Sequence, residues 1–135
     1  MQLEILEPQG VPQPQGMYNH AISVSAGRLL FIAGQVSIDA DNQLVGLGDF
    51  KTQMVQVFKN IGNVLKSADA AFENVVKFTT YLVRSQDMKA FYEKRAEIFA
   101  EIYPNGRYPT NTLVVIDQLA RKEWLVEIEA VAALP

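Results

Sequence analysis

The order of strand-like and helical runs constrains this chain more than any other feature. Two stretches carry a helical stripe. From Phe50, apolar residues fall at Met54, Val57, Phe58, Ile61, Val64 and Leu65, a spacing that lines one face of a helix, with Asp49 placed to cap it. A second helix is expected to open at Asp87, to carry Met88, Phe91, Tyr92, Arg95, Ile98, Phe99 and Ile102 as its stripe, and to stop at Pro104. Around them stand apolar, β-branched runs: Gln2–Leu6, Ala21–Ser25, Arg28–Ala33, Val75–Arg84, Thr112–Ile116 and Trp124–Ala132. Ala26-Gly27 reads as a hairpin turn between the second and third runs, with Gly27 at positive φ. Strands, then helix, strand, helix, strand, strand is an α+β order, with both helices packed on one face of a mixed sheet.

That order leaves the other sheet face uncovered. Leu113 to Ile116 is apolar at every position, as expected of a strand buried on both faces, and no third helix is available to bury it. Self-association, with the sheets of several copies closing around a shared interior, is the economical solution.

At 135 residues, about half of them apolar, the chain is expected to be a single domain spanning 1–135. Twelve basic and fifteen acidic side chains give a net charge of -3 and a pI near 5.1. No run of Lys and Arg forms a phosphate-tracking stripe, which argues against nucleic acid as a partner. Cysteine is absent, so disulfides, thiolate nucleophiles and sulfur-ligated zinc are excluded. His20 is the one histidine, which leaves little for a Ser-His triad or a multi-histidine metal site. Asp39 and Asp41 flank a turn and are too few for a metal site, and AGQVSID lacks the spacing and lysine of a phosphate loop. Neither a cofactor nor a metal is implied. The amino terminus has no leader pattern and no apolar run spans a bilayer, so a cytoplasmic protein with no membrane partner is expected.

The last run interrupts its apolar character with Glu127 and Glu129. Alternation from Trp124 sends Val126, Ile128, Ala130 and Ala132 to one face, and Leu125, Glu127, Glu129 and Val131 to the other. Carboxylates two apart on a strand stand roughly 7 Å from each other and repel unless one meets solvent or a donor. They mark either a solvated edge or a cleft in which Glu129 orients water or a polar ligand while Glu127 reaches solvent. Tyr18 and His20, two apart at a strand entry, could point into one cleft, although a lone histidine is more often a packing residue. Arg95 is expected to snorkel past Phe91 and Phe99 or to pair with a neighbouring acid.

GMYNHAISVSAGRLLFIAGQVSID, the first helix and the run after it in QMVQVFKNIGNVLKSADAAFENVVKFTTYL, FYEKRAEIF and YPTNTLVVIDQLARKEWLVEIEAVA together resemble the reactive-intermediate deaminase superfamily, the Rid or YjgF-like proteins also labelled endoribonuclease L-PSP. AGQ after a strand combined with VEIEAVA carries most of that resemblance, which spans nearly the whole chain. It implies a chorismate-mutase-like α+β fold and a homotrimer whose sheets face a central barrel-like interior, with small-molecule clefts between subunits. It also implies an enamine or imine deaminase-type hydrolase. Carried onto this chain, the family's site falls on Tyr18 as an aromatic wall, Gly34 and Gln35 at a turn of backbone donors, and Glu129 as the water-positioning glutamate. The family's substrate-clamping arginine falls on Asn111, which has neither the charge nor the two-pronged donor of a guanidinium. Arg107 is the nearest candidate to stand in. The departure implies a metabolite other than the usual amino-acid-derived imines, or a non-catalytic trimer that senses or carries a metabolite. Ribonuclease activity, a label some relatives carry, fits an acidic chain poorly.

Overall fold

A computed structural model describes all of residues 1–135. Eight elements follow the expected order: β1 (Gln2–Leu6), β2 (Ala21–Ser25), β3 (Arg28–Gln35), α1 (Phe50–Ser67), β4 (Val75–Leu82), α2 (Met88–Ile102), β5 (Thr110–Val115) and β6 (Val126–Leu134). The main sheet has the order β3-β6-β4-β5 and is mixed: β6 runs antiparallel to both neighbours, while β4 and β5 are parallel. Both helices cover one face of it. Ile32 of β3, Phe78 and Leu82 of β4 and Val126, Ile128 and Ala130 of β6 meet Met54, Val57, Phe58 and Ile61 of α1 and Phe91 and Phe99 of α2 in one core.

β2 does not form a hairpin with β3. It pairs antiparallel with β1 in a separate two-stranded sheet, whereas β3 pairs with β6. Gly27 is not at positive φ. It is required by close approach, since a Cβ there would stand 2.8 Å from the Pro135 carbonyl carbon, and its N–H donates to the Leu134 carbonyl (3.0 Å).

Asp49 caps α1 as its position implied, accepting from the Thr52 N–H (3.1 Å) and hydroxyl (2.7 Å). Asp87 does not cap α2 with its side chain. Its carboxylate is taken by the guanidinium of Arg84 (2.7 and 2.9 Å), and this pair ends β4 at Leu82 and forms a 3-10 turn over Ser85–Asp87. Gln53 of α1 is fully buried and joins three backbone groups. Its Nε2 donates to the carbonyls of Gly46 (3.0 Å) and Glu123 (2.9 Å), and its Oε1 accepts from the Leu125 N–H (2.9 Å). A buried amide satisfied on both ends holds the entry to β6, and with it the two glutamates, at a fixed height on α1.

β5 is the sheet edge. Val114 is 39 % exposed and Val115 43 %, so the run read as buried on both faces is half uncovered in one copy of the chain. The face away from the helices carries Phe31, 74 % exposed, and Leu29, 53 %.

Candidate functional site

Alternation along β6 is as the sequence implied: Val126, Ile128, Ala130 and Ala132 are buried against the helices, and Glu127, Glu129 and Val131 stand half-buried on the open face. On that face the antiparallel register sets Tyr81 opposite Glu127 and Thr79 opposite Glu129. The Tyr81 hydroxyl donates to Glu129 Oε1 at 2.7 Å. This bond, more than burial, raises the tyrosine's pKa, because the carboxylate accepts from the phenol O–H and so favours the protonated phenol. Tyr81 and Thr79 were not anticipated as neighbours of the glutamates. The β-branched and aromatic pattern of β4 announces a strand, but only the β4–β6 register brings its Tyr81 to Glu129.

Glu127, expected to reach solvent, is the glutamate packed against the turn that ends β3. The register of β3 on β6 shifts between Ile32 and Gln35, and at this irregularity Gly34 meets the Glu127 side chain. A Cβ on Gly34 would stand 2.7 Å from the Glu127 carboxyl carbon and from Oε2, so no residue but glycine fits without displacing the carboxylate. Lost hydration, and then the negative charge of Glu129, push the Glu127 carboxyl above the usual carboxylate range. The turn is firmly held. Asn60 of α1 donates from Nδ2 to the carbonyls of Val36 (3.1 Å) and Ile38 (2.9 Å), and Ser37 donates to the Val45 carbonyl (2.6 Å). Gln35 turns its side chain back onto the Ala33 carbonyl (3.0 Å).

Asn111 stands elsewhere. It pairs with Phe78 on β4, whereas Glu129 pairs with Thr79, and adjacent strand residues point to opposite faces. Within one chain the amide therefore projects to the helix-covered side and the two glutamates to the open side. Asn111 Oδ1 accepts from the buried Thr80 hydroxyl at 3.0 Å.

Tyr18 and His20 lie together at the end of the Pro- and Gln-rich segment, rings edge to face with centroids 5.8 Å apart. His20 is exposed, and its Nε2 is 2.6 Å from the Pro12 carbonyl, a contact that holds the proton on Nε2. The segment is seated on the chain leading into β5: the Asn19 N–H donates to the Pro109 carbonyl (3.2 Å) and Asn19 Nδ2 to the Tyr108 carbonyl (2.7 Å). Arg107 is exposed in a separate hollow with Met1, Leu3 and Tyr103. One copy thus assembles Gly34, Glu127, Glu129 and Tyr81 on the open face, and Tyr18 with His20 on the amino-terminal segment. It does not join these two groups to Asn111.

Two carboxyl groups on one face in different environments are equipped for proton transfer. Glu129 is fixed by a phenol donor, and Glu127, its carboxyl raised above the usual carboxylate range by lost hydration, is suited to accept a proton.

The family model Endoribonuclease L-PSP matches residues 9–134. A RutC family protein of Pyrococcus horikoshii is 38 % identical over 96 % of both chains. A mouse protein named 2-iminobutanoate/2-iminopropanoate deaminase is 30 % identical over 96 % of this chain and 90 % of its own. The crystal structure of YyfB from Yersinia pestis, a Rid family protein of unknown function, superposes with a TM-score of 0.87 at 34 % identity, covering 99 % of this chain and all of the other.

Proposed function

The chain belongs to the endoribonuclease L-PSP family, which takes in the Rid and RutC proteins, and from that membership we propose that it hydrolyses an imine or enamine of a small metabolite, with Glu127 as the group that handles water. The observation that carries this reading is the half-hydrated Glu127 carboxylate held against Gly34, with Glu129 fixed beside it by Tyr81. A water oxygen adds to the electrophilic carbon of the C=N bond while its proton passes to Glu127. The nitrogen takes that proton to give the carbinolamine; the carbinolamine hydroxyl then gives its proton through Glu127 to the nitrogen as the C–N bond breaks, and ammonia leaves behind a carbonyl. Gly34 and Gln35 mark the turn beside this event, and Tyr18 offers a flat wall to a planar substrate. The name of the mouse relative supports the chemistry.

The cleft belongs between copies of the chain. Asn111 and Glu127 project from opposite faces of one sheet, so a ligand that meets both spans two copies. The open face of each copy offers Phe31, Leu29 and Val114 for a homotrimeric interior. Asn111 contributes neutral hydrogen bonding only, with Oδ1 already accepting from Thr80. That feature favours a second reading, a metabolite-binding trimer without turnover. A single experiment separates them: imines generated in place by an amino-acid oxidase should disappear faster in the presence of the wild-type protein. A decay rate equal to that in buffer, with ligand binding intact, would leave the binding reading.

A further inference from the structure

The open face of the main sheet is sorted by strand. Its two edge strands carry apolar side chains, Leu29 and Phe31 on β3 and Val114 on β5, and its two inner strands carry the charges. Residues directly opposite in register share a face. Phe31 and Lys77 both stand opposite Val131, Thr79 stands opposite Glu129, and Tyr81 opposite both Glu127 and Val114. β6 therefore presents two acids, and β4 presents Lys77, the one cation that the strands place on this face.

None of these charges meets an opposite charge within the chain. Lys77 Nζ donates to the Thr79 hydroxyl at 2.8 Å, and Glu129 accepts from the Tyr81 phenol at 2.7 Å, so acid and base each have a neutral partner. Neither Lys77 nor either glutamate takes part in an ion pair. A hollow of about 350 Å³ opens beside them, lined by Phe31, Ala33, Lys77, Thr79, Glu129 and Val131.

Phe31, 74 % exposed, calls for a cover, and the charges restrict what that cover can be. A charge closed off from water without a counter-charge is costly, so the covering surface must offer an acid to Lys77 and a cation to Glu129. A wholly apolar surface fails on this count. A second copy of the same face carries both signs. Because the acids lie on β6 and the base on neighbouring β4, between two apolar edges, a head-to-tail contact that sets the β6 side of one copy against the β4 side of the next joins opposite charges and apolar edges together. Such a contact is heterologous, and every charge finds its partner only when the ring closes.

We propose that Lys77 of one copy pairs with Glu129 of the next, with Phe31 packed against the β5 edge at Val114, and that this ion pair selects the chain's own face as its partner and sets the register of the ring. The inference rests on the reading that the cleft lies between copies, and adds to it the residues that hold the copies together. Glu129 then serves assembly, fixed by Tyr81 of its own chain and by an ammonium of its neighbour, while Glu127 is left for chemistry.

Light scattering over a concentration series of the full-length chain tests the pairing. Lys77→Glu and Glu129→Lys, each with a wild-type circular dichroism spectrum, should need at least about tenfold more protein than wild type to assemble. Lys77→Glu/Glu129→Lys should return to within about threefold of wild type. Mixing the two single variants shows whether the pair joins copies. Two of the three contacts in a mixed ring are then complementary, so the mixture should assemble at lower concentration than either variant alone, whereas a pair within one chain gives mixing no effect. If a charge reversal prevents folding, Lys77→Cys mixed with Glu129→Cys and a short bismaleimide should give a covalent dimer in a yield that neither variant reaches alone, free of background because the chain has no cysteine of its own. A wild-type trimer indifferent to both reversals, a double variant no better than the singles, a mixture no better than its components, or no gain in covalent dimer would overturn the pairing and leave the intersubunit cleft standing. A wild-type monomer at micromolar concentration would remove both and give the face to a different protein.

Discussion

The carboxyl group of Glu127 fills the space that a side chain on Gly34 would take, 2.7 Å from where its Cβ would stand. The turn after β3 and the acid on β6 are thereby fitted to one another. Gly34→Ala should push the flexible carboxylate aside with little change in the backbone. The expected result is a stability within about 1 kcal/mol of wild type and a loss of at least about tenfold in imine hydrolysis, read from urea unfolding and from the decay assay. Wild-type turnover by a folded Gly34→Ala protein would show that the contact has no bearing on chemistry.

Gln53 satisfies the carbonyls of Gly46 and Glu123 and the N–H of Leu125 from a fully buried position. Gln53→Leu keeps the volume and strands all three groups. It should cost about 3 kcal/mol in urea unfolding, the order expected for several buried polar groups left unpaired. A loss below about 1 kcal/mol would mean that these groups find other partners.

The exposed Phe31, Leu29 and Val114 on the open sheet face call for a cover in solution. Light scattering on a size-exclusion column should give three times the 15.1 kDa chain mass for wild type, and a single chain mass for Phe31→Glu. A wild-type monomer at micromolar concentration would contradict the intersubunit cleft.

Much of this fold was legible because its signals are local. The α1 stripe, the Asp49 cap and the alternation of β6 each follow from spacing within one segment. What the sequence hid is set by pairing between distant segments. Ala26-Gly27 looks like a hairpin turn, yet the strands on either side find partners 15 to 23 and 93 to 106 residues away, in β1 and β6. Leu113 to Val115 is apolar enough for a central strand, but β5 is the edge, because β6 takes the place between β3 and β4. Within the site, both glutamates were visible and their surroundings were not. The irregularity in β3 that aims Gly34 at Glu127, and the register that gives Tyr81 to Glu129, have no counterpart in residue spacing. Arg95's place on the helix stripe predicts snorkelling or pairing with an acid, as long cations there commonly do; the aromatic residues around it enclose it instead, and it takes part in none of the ion pairs.

Glu127 carries a signature in pH. Its folded pKa lies above the unfolded value, so between the two the folded chain binds more protons than the unfolded one. Stability therefore falls as pH rises from the ordinary carboxylate range through the raised pKa, and the penalty is constant above it. Glu127→Gln should abolish that fall and gain on wild type across the same window, measured by urea midpoints between about pH 4 and pH 8. A parallel pH dependence in the two proteins would show that the carboxyl is not perturbed.

Imine decay with the two glutamates replaced singly tests the central claim most directly. Glu127→Gln should lower the rate by about a hundredfold, the scale of a lost general base, with the protein folded and assembled as wild type. Glu129→Gln, which keeps an acceptor for the Tyr81 hydroxyl, should retain the rate to within about tenfold. Loss of turnover in Glu129→Gln with Glu127→Gln at wild-type rate would contradict the assignment of the water-handling role to the carboxylate at Gly34.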